Sequence, residues 1–408
     1  MLTLNTAVSN VSDKTIVLGV TGGIAAFKAA ALASLLVKKG MTVKTVMTKA
    51  ATEFITPLTF QALTKQPVYS DVFAEHDPTH ISHIDLADHA DAIVIAPATA
   101  DFIAKVAHGM GDDMLTTILL AARCPVIIAP SMNVHMYANP LVQKNIATLR
   151  EIGYEIAEPG EGLLACGYEG KGRLMEPADL VFYIERALMP KPLRGKNVLV
   201  TAGGTKERID PVRYLTNDST GTMGVDLARV AWLMGARVTV VAANISVPVG
   251  PGIEVIPALS AVEMYEQVHA RLPEADIVIM AAAVADYRPR EVADFKIKKT
   301  GAALSIDLVQ NPDILASLQG KYKQGAFSIG FAAETHDIEH YALEKLQRKG
   351  VDLLVVNNVL ESGAGFGYGT NRVDLYDREG FVESLPLASK FDVARMIIER
   401  TIARIGVL

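Results

Sequence analysis

The chain has 408 residues, 50% hydrophobic and 21% charged, which allows two or three domains with buried cores and argues against long disorder. A formal net charge of −6 disfavours a nucleic-acid binder, which needs a concentrated basic face to neutralise phosphates. With two cysteines, Cys124 and Cys166, there is no disulfide framework, no apolar run reaches membrane-spanning length, and MLTLNTAVSNVSDK lacks the pattern of a signal peptide, so a reducing cytoplasm and no membrane partner are expected.

In chain order, Thr15–Val20 is short and β-branched and reads as a buried strand. Gly22-Gly23 then permits a tight turn into Ala25–Lys39, which is Ala/Leu-rich and helical. Such a turn aims free N–H groups at an anion. The dinucleotide fingerprint is missing, because no third glycine follows at its spacing and the strand Thr42–Met47 ends in Thr48-Lys49 rather than in an acid for a ribose diol. That disfavours NAD and leaves two readings, a mononucleotide such as FMN or a turn that only packs helix on strand.

His80, His83 and His89 do not put two zinc ligands on one helix face, and no cysteine lies near, so a metal is not expected there. The buried strand Ala92–Ala96 delivers Pro97-Ala98-Thr99-Ala100-Asp101 at its carboxyl end, where open parallel sheets gather ligands. By itself His83 reads more readily as an interface histidine than as a catalytic one. Strand Pro125–Ala129 ends in Pro130-Ser131-Met132-Asn133-Val134-His135-Met136, where an amide between two thioethers can donate to a carboxylate. Helix Pro140–Glu151 and strand Tyr154–Ala157 precede Glu158–Arg173, a glycine-rich loop containing Cys166 that reads as a flexible active-site flap.

VTGGIAAFK, His83 in THISHIDLADHAD, APATADFIAKVAHGMGDDMLTT, PSMNVHM and the ACG-containing loop resemble the flavin-dependent cysteine decarboxylases, phosphopantothenoylcysteine decarboxylase in particular, over about residues 14–188. The resemblance implies a flavodoxin-like FMN domain with the cofactor at Gly22, Gly23, Ile24, Thr48, Ala98, Thr99 and Met136. It implies His83 as the base at the flavin face, Asn133 as the group that orients the substrate carboxylate, and Cys166 as the acid that returns a proton. In that family, oxidation of the substrate thiol gives the departing carboxylate an electron sink, and the same flavin then reduces the product, with no net redox change.

After Pro190 and Pro192 a second strand, Asn197–Thr201, again ends in glycines, Ala202-Gly203-Gly204-Thr205. Two Rossmann-like α/β units with mainly parallel sheets are therefore expected, 1–190 and 191–408. The loop AGGTKERIDPVRYLTNDSTGTMG is far longer than a tight turn. Helix Thr222–Met234, strand Arg237–Ala242, helix Ala261–Arg271 and strand Asp276–Met280 follow, the last ending in Ala281-Ala282-Ala283-Val284-Ala285-Asp286-Tyr287. Small residues there let a flat ring or sugar approach the backbone, and Asp286 either holds sugar hydroxyls or caps the next turn.

Basic residues cluster at Lys296–Lys299 and at Lys206, Arg208 and Arg213, and read as pockets for a small anion, although a lysine run can equally be solvated surface. Asn311-Pro312-Asp313 reads as a helix start with proline in the first turn. Strand Ala326–Phe331 ends in FAAET, and helix Asp337–Gly350 sets Lys345 and Lys349 one turn apart on one face. Beyond glycine-rich Asn357–Gly369, Arg372–Tyr376 and Phe381–Leu385 form a hairpin, split by Asp377–Gly380, that is expected to support dimerisation.

TAGGTKERIDPVRYLTNDSTGTMG, AAAVADYRP, KIKK, NPDI and FAAET resemble the phosphopantothenate–cysteine ligases of the CTP-using bacterial type, over about residues 196–404. The resemblance implies CTP contacts at Met280, Ala281, Ala282, Asp286, Lys296, Pro312, Asp313, Ile314, Leu315, Phe331, Lys345 and Lys349. Asn217 would support amide formation from the acyl-cytidylate, and Lys296 would be needed to make it. Mg²⁺ would come with the nucleotide, held mainly by phosphates and water, with no protein ligand identified. The implied substrates are 4′-phosphopantothenate, L-cysteine and CTP, and the implied product of both halves is 4′-phosphopantetheine, two steps of coenzyme A synthesis. Family trimers of the first half and dimers of the second would together give a dodecamer.

Overall fold

Short β-branched runs become the central strands of two largely parallel sheets, one in each of the two units into which the computed structural model divides, Met1–Pro190 and Lys191–Leu408. The structure describes residues 12–74, 81–164, 167–299, 304–334, 337–358 and 368–406. Among these, no helix is long and apolar enough to cross a membrane.

The first unit runs β1 (Thr15–Val20), α1 (Ala26–Lys38), β2 (Thr42–Met47), α2 (Pro57–Thr64), β3 (Val68–Tyr69), α3 (Ser82–His89), β4 (Ala92–Ala98), α4 (Ala100–Ala107), α5 (Met114–Ala121), β5 (Val126–Pro130), α6 (Val134–Ala138), α7 (Pro140–Glu151) and β6 (Glu155–Ile156). A hairpin of β7 (Gly160–Leu163) and β8 (Glu169–Arg173) follows, and α8 (Pro177–Leu188) ends the unit. The sheet order is β3-β2-β1-β4-β5-β6, parallel throughout. All seven residues of β4 are buried, as in a sheet covered on both faces. Phe102, Met114, Leu115 and Ile118 pack on Ile93, Ile95 and Ile128. Gly19 makes room for this layer, since a Cβ there would lie 2.5 Å from Ile95 Cδ1 and 2.7 Å from Leu115 Cδ1.

The second unit runs β9 (Asn197–Ala202), β10 (Glu207–Arg208), β11 (Tyr214–Leu215), α9 (Thr222–Leu233), β12 (Arg237–Ala242), β13 (Glu254–Pro257), α10 (Ala261–Arg271), β14 (Ile277–Met280), β15 (Tyr287–Pro289) and β16 (Leu308–Gln310). It continues with α11 (Ile314–Ser317), β17 (Phe327–Glu334), α12 (Ile338–Lys349), β18 (Leu353–Asn358), β19 (Thr370–Asn371), β20 (Asp374–Asp377), β21 (Gly380–Ser384), β22 (Ala388–Ser389) and α13 (Lys390–Arg404). The main sheet has the order β13-β12-β9-β14-β17-β18-β20-β21, parallel as far as β18 and antiparallel beyond it. The β20–β21 hairpin thus extends this chain's own sheet, with β21 at the edge. Pro312 lies outside α11 rather than in its first turn, because Asp313 takes the N-cap position and accepts from the Ala316 N–H at 3.1 Å.

In both sheets the strand order reverses next to the first strand, between β1 and β4 and between β9 and β14. A crevice opens at the carboxyl ends of strands at such a switch point. One further device recurs. Asp91, just before β4, accepts the Thr15 N–H at the start of β1 and pairs with Lys14, while Asp276, just before β14, accepts the Asn197 N–H at the start of β9 and pairs with Lys323.

Candidate active sites

At the first switch point the carboxyl ends of four strands are laced together. The Thr48 N–H donates to Val20 O at 3.0 Å and joins β2 to β1. Thr21 Oγ1 donates to Pro97 O at 2.8 Å and accepts from the Thr99 N–H at 3.1 Å, joining β1 to β4. The Ser131 N–H donates to Ala98 O at 3.0 Å and joins β5. Thr48 and Thr99 also cap the helical turns they precede, whereas no side chain caps α1. In the first turn of α1 the Ala26 N–H donates to Gly23 O at 2.9 Å and the Lys28 N–H to Ala25 O at 3.0 Å, so no side chain competes with an anion for the remaining N–H groups behind Gly22-Gly23. Gly22 is fixed by packing, because a Cβ would lie 2.4 Å from Ala50 Cβ and 2.8 Å from Ala50 C. Gly23 is not, since its nearest neighbour would be Thr99 Cγ2 at 3.7 Å. A bare backbone beside uncapped N–H groups fits a flat ring carrying a phosphate.

His83 lies in the first turn of α3, which only Ala90 and Asp91 separate from β4. Its Nδ1 is buried and meets no hydrogen-bond partner, an arrangement that costs free energy unless something completes it. Asn133 caps α6, its Oδ1 accepting the His135 N–H at 2.8 Å, which fixes the amide with Nδ2 as its donor end. Met136 is 49% exposed and Ile24 63%. Cys166 and His80 lie outside the described residues.

Glu158–Arg173 is largely a β-hairpin rather than a flexible loop. Two of its glycines exist for close approach to the segment after β5. A Cβ on Gly172 would lie 2.3 Å from Met132 O, and the Met132 N–H donates to Gly172 O at 3.0 Å. A Cβ on Gly170 would lie 3.1 Å from Val134 Cγ1. The hairpin is thereby fastened to the Asn133 loop, a link that spacing alone does not reveal. Beside it opens a cavity of about 550 Å³ lined by Val134, Tyr137, Ala138, Gln143, Arg150, Glu158 and Lys171. Tyr137 donates to Glu158 at 2.6 Å, and Lys171 and Arg150 both pair with that carboxylate. Burial alone would raise the Glu158 pKa, but bonds from Lys171 and Tyr137 hold it below the usual range. The tyrosine hydroxyl moves the opposite way, pushed well up by burial and by its bond to Glu158.

At the second switch point the lacing is repeated with other residues. The Ala282 N–H donates to Thr201 Oγ1 at 3.1 Å, and the Ala285 N–H to Thr205 Oγ1 at 3.0 Å. Gly203 has φ +90° and would meet Asn244 O at 2.6 Å if it carried a Cβ, so this turn requires glycine. Asn217 reaches across, its Nδ2 lying 3.3 Å from both Ala283 O and Val284 O. Asn311, almost fully buried, holds the Asp286 turn by donating Nδ2 to Ala285 O at 2.8 Å and its N–H to Asp286 O at 2.8 Å. The segments 280–286 and 311–315 are thus adjacent. Asp286 is exposed, while the side chains of Met280 and Ile314 belong to the core and leave only backbone to a ligand.

The lysines predicted to meet a nucleotide divide into two kinds. Lys345 pairs with Glu334 at 2.5 Å and Lys349 with Asp313. Burial would raise the Asp313 pKa, but Lys349 and the Ala316 N–H bring it down. Lys296, Lys298 and Lys299 are exposed. The expected anion pocket of Lys206, Arg208 and Arg213 is not formed, because Arg213 is committed to Asp210 while Lys206 and Arg208 lie over the Tyr214 ring, at 4.7 and 5.5 Å. No cluster of three or more metal-ligating side chains occurs among the described residues.

Residues 5–189 match the family model described as Flavoprotein, and residues 193–405 match the DNA/pantothenate metabolism flavoprotein C-terminal domain. The chain is similar to the Coenzyme A biosynthesis bifunctional protein CoaBC of Bacillus subtilis (strain 168), 50% identical over 96% of this chain and 97% of that one. It is also similar to the protein of the same description from Vibrio vulnificus (strain YJ016), 47% identical over 95% of this chain and 97% of the other. The solved C-terminal domain of a Coenzyme A biosynthesis bifunctional protein CoaBC is 37% identical, covers 53% of this chain and 98% of its own, and has a TM-score of 0.46.

Proposed function

The chain belongs to the coenzyme A biosynthesis bifunctional proteins, which join a phosphopantothenoylcysteine decarboxylase to a phosphopantothenate–cysteine ligase, and on that premise we propose how its units divide the work. The second unit ligates L-cysteine to 4′-phosphopantothenate with CTP, and the first decarboxylates the product to 4′-phosphopantetheine with FMN. The observation that supports this most is that each unit gathers its own motif set at its own switch point, Gly22-Gly23 with Thr99 in one and Asn217 with Ala281–Ala283 in the other.

In the ligase reaction the phosphopantothenate carboxylate attacks the CTP α-phosphate, pyrophosphate leaves, and the cysteine amine opens the acyl-cytidylate to release CMP. Lys296 neutralises charge that builds on the phosphate during attack. Lys345 and Lys349 exchange their pairing with Glu334 and Asp313 for the phosphate oxygens of the nucleotide. Mg²⁺, if bound, would be held mainly by triphosphate oxygens and water and would offset their charge. Asn217 holds the acyl intermediate against the β14 carboxyl end for the amine.

In the decarboxylase the uncapped start of α1 and Gly22-Gly23 would receive the FMN, with Ile24, Thr48, Ala98, Thr99 and Met136 around it. When bound, FMN supplies reversible thiol oxidation, which gives the carboxylate's electrons a destination. His83 would take the proton of the substrate thiol, Asn133 would orient the carboxylate through Nδ2, and Cys166 would return a proton to the carbon that CO₂ has left. The side chains of Ile24 and Phe27, more than 60% exposed beside this turn, fit a surface closed by another copy, in keeping with trimers here and dimers of the second unit. We assign the protein to the cytoplasm.

The test supplies purified protein with 4′-phosphopantothenate, L-cysteine and Mg²⁺, with CTP or ATP, and reads pyrophosphate and CO₂ together. CTP should drive release of both. Pyrophosphate without CO₂ would remove the decarboxylase assignment, and equal rates with ATP would remove the CTP assignment.

A further inference from the structure

The segment 293–299 carries Lys296 yet belongs to no helix or strand, so no β-ladder or helical bond holds it. Among the described residues, its hydrogen bonds lead to one place. The Ala293 N–H donates to Ile209 O at 3.0 Å, the Ile297 N–H donates to Asp210 Oδ2 at 3.1 Å, and Arg213 Nη2 donates to Ile297 O at 3.0 Å. Asp210 is the centre of this arrangement. It is fully buried, an environment that a carboxylate occupies only when its lone pairs are taken. They are: Oδ1 accepts the Val212 and Arg213 N–H groups at 2.8 Å each, while Oδ2 accepts Arg213 Nε at 3.0 Å, Nη2 at 2.5 Å and the Ile297 N–H.

The two oxygens do separate jobs. Oδ1 closes the turn Asp210-Pro211-Val212-Arg213 on itself, as aspartate does ahead of proline. Oδ2 looks outward, and with Arg213 it grips both the N–H and the carbonyl of Ile297. Gripping both backbone groups of Ile297 fixes the peptide planes on either side of it, the first of which is shared with Lys296, and so restrains the direction in which the preceding side chain, that of Lys296, leaves.

We propose that Asp210 is a positioning residue for the ligation reaction, a clip that together with Arg213 registers Lys296 for the nucleotide phosphate. This rests on the reading of Lys296 given above. Asp210 does no chemistry itself; its contribution is to lower the conformational freedom of a lysine that would otherwise sample many positions before each turnover.

Asp210→Asn separates the two jobs. The amide oxygen can still close the turn, but Nδ2 would face Arg213 and the Ile297 N–H donor to donor and the grip would be lost. Expected is a rise in KM for CTP of at least tenfold with a fall in kcat for pyrophosphate release, while KM for cysteine and CO₂ release from supplied phosphopantothenoylcysteine stay at wild-type values. Lys296→Gln is measured beside it. If Lys296→Gln abolishes pyrophosphate release and Asp210→Asn does not change the CTP kinetics, the clip is overturned and the lysine stands. If Lys296→Gln is as active as wild type, the lysine reading itself falls. Residue-resolved hydrogen exchange on the wild-type protein covers the case in which Asp210→Asn does not fold. The Ile297 N–H should be protected without nucleotide while those of Lys298 and Lys299 exchange freely, and a freely exchanging Ile297 overturns the proposal.

Discussion

Gly22 and Gly23 are adjacent, and each lacks a side chain for a different reason. At Gly22 a methyl group would collide with Ala50, side chain and backbone alike, so Gly22→Ala must displace the turn after β2. That costs about 1–3 kcal/mol of stability whether or not a cofactor is present. At Gly23 a methyl group would find only Thr99 Cγ2 at 3.7 Å, an ordinary contact. Gly23→Ala should therefore leave the apoprotein within about 0.5 kcal/mol of wild type. If the space above Gly23 is where FMN lies, the same methyl weakens flavin binding at least tenfold. Thermal unfolding of the apoprotein and flavin titration read the two effects separately. Wild-type flavin affinity in Gly23→Ala would move the cofactor away from this turn. The paired glycines were visible in the sequence, but not this difference between them, which depends on Ala50 and Thr99 being brought in by other strands. The same holds for Lys345 and Lys349. Their shared helix face was legible from spacing four, while Glu334 and Asp313 come from other elements.

The aspartates before β4 and β14 each fasten the start of the neighbouring strand, and this makes a titratable group part of the sheet. Burial would raise the Asp276 pKa, but the Asn197 N–H and Lys323 outweigh it and hold it below its ordinary value. The folded value lies below the unfolded one, so the contribution is complete above about pH 4 and is lost as pH falls through the folded pKa. Trp232, the single tryptophan and nearly fully buried in α9, reports on this unit. Urea unfolding followed by its fluorescence should show Asp276→Asn less stable by about 1–2 kcal/mol at pH 7, with the gap closing on acidification toward pH 3. A gap that stays constant with pH would mean the carboxylate's charge is irrelevant to the strand. Most sheet strands were legible because strands covered on both faces are short continuous apolar runs. Thr15–Val20, Thr42–Met47 and Arg237–Ala242 emerge with the expected bounds. α3 was not, since SHIDLADH is eight residues with few apolar positions. Nor was the β7–β8 hairpin, where GEGL and EGKGR carry no alternation because backbone, not side chains, makes the contact with Met132.

At the scale of the whole chain, the two sheets are separate, and the first unit performs the second reaction. The 4′-phosphopantothenoylcysteine made in one unit must therefore reach another site, in the same chain or in a different one. Each unit has its own sheet with its own switch point. Two damaged chains should then complement each other. His83→Asn alone should release pyrophosphate and accumulate phosphopantothenoylcysteine without CO₂. Lys296→Gln alone should release no pyrophosphate from phosphopantothenate, yet decarboxylate phosphopantothenoylcysteine when it is supplied. An equal mixture given phosphopantothenate, cysteine and CTP should form 4′-phosphopantetheine after a lag, because the intermediate must accumulate in solution before the intact decarboxylase sites can use it. The lag should shorten as total protein rises and vanish when phosphopantothenoylcysteine is added at the start. A wild-type chain that shows no lag under the same conditions would mean that the fused units pass the intermediate between them faster than it escapes. A mixture that forms no 4′-phosphopantetheine at all would show that His83→Asn or Lys296→Gln disables both units, and the separation of the two reactions between the two sheets would fall.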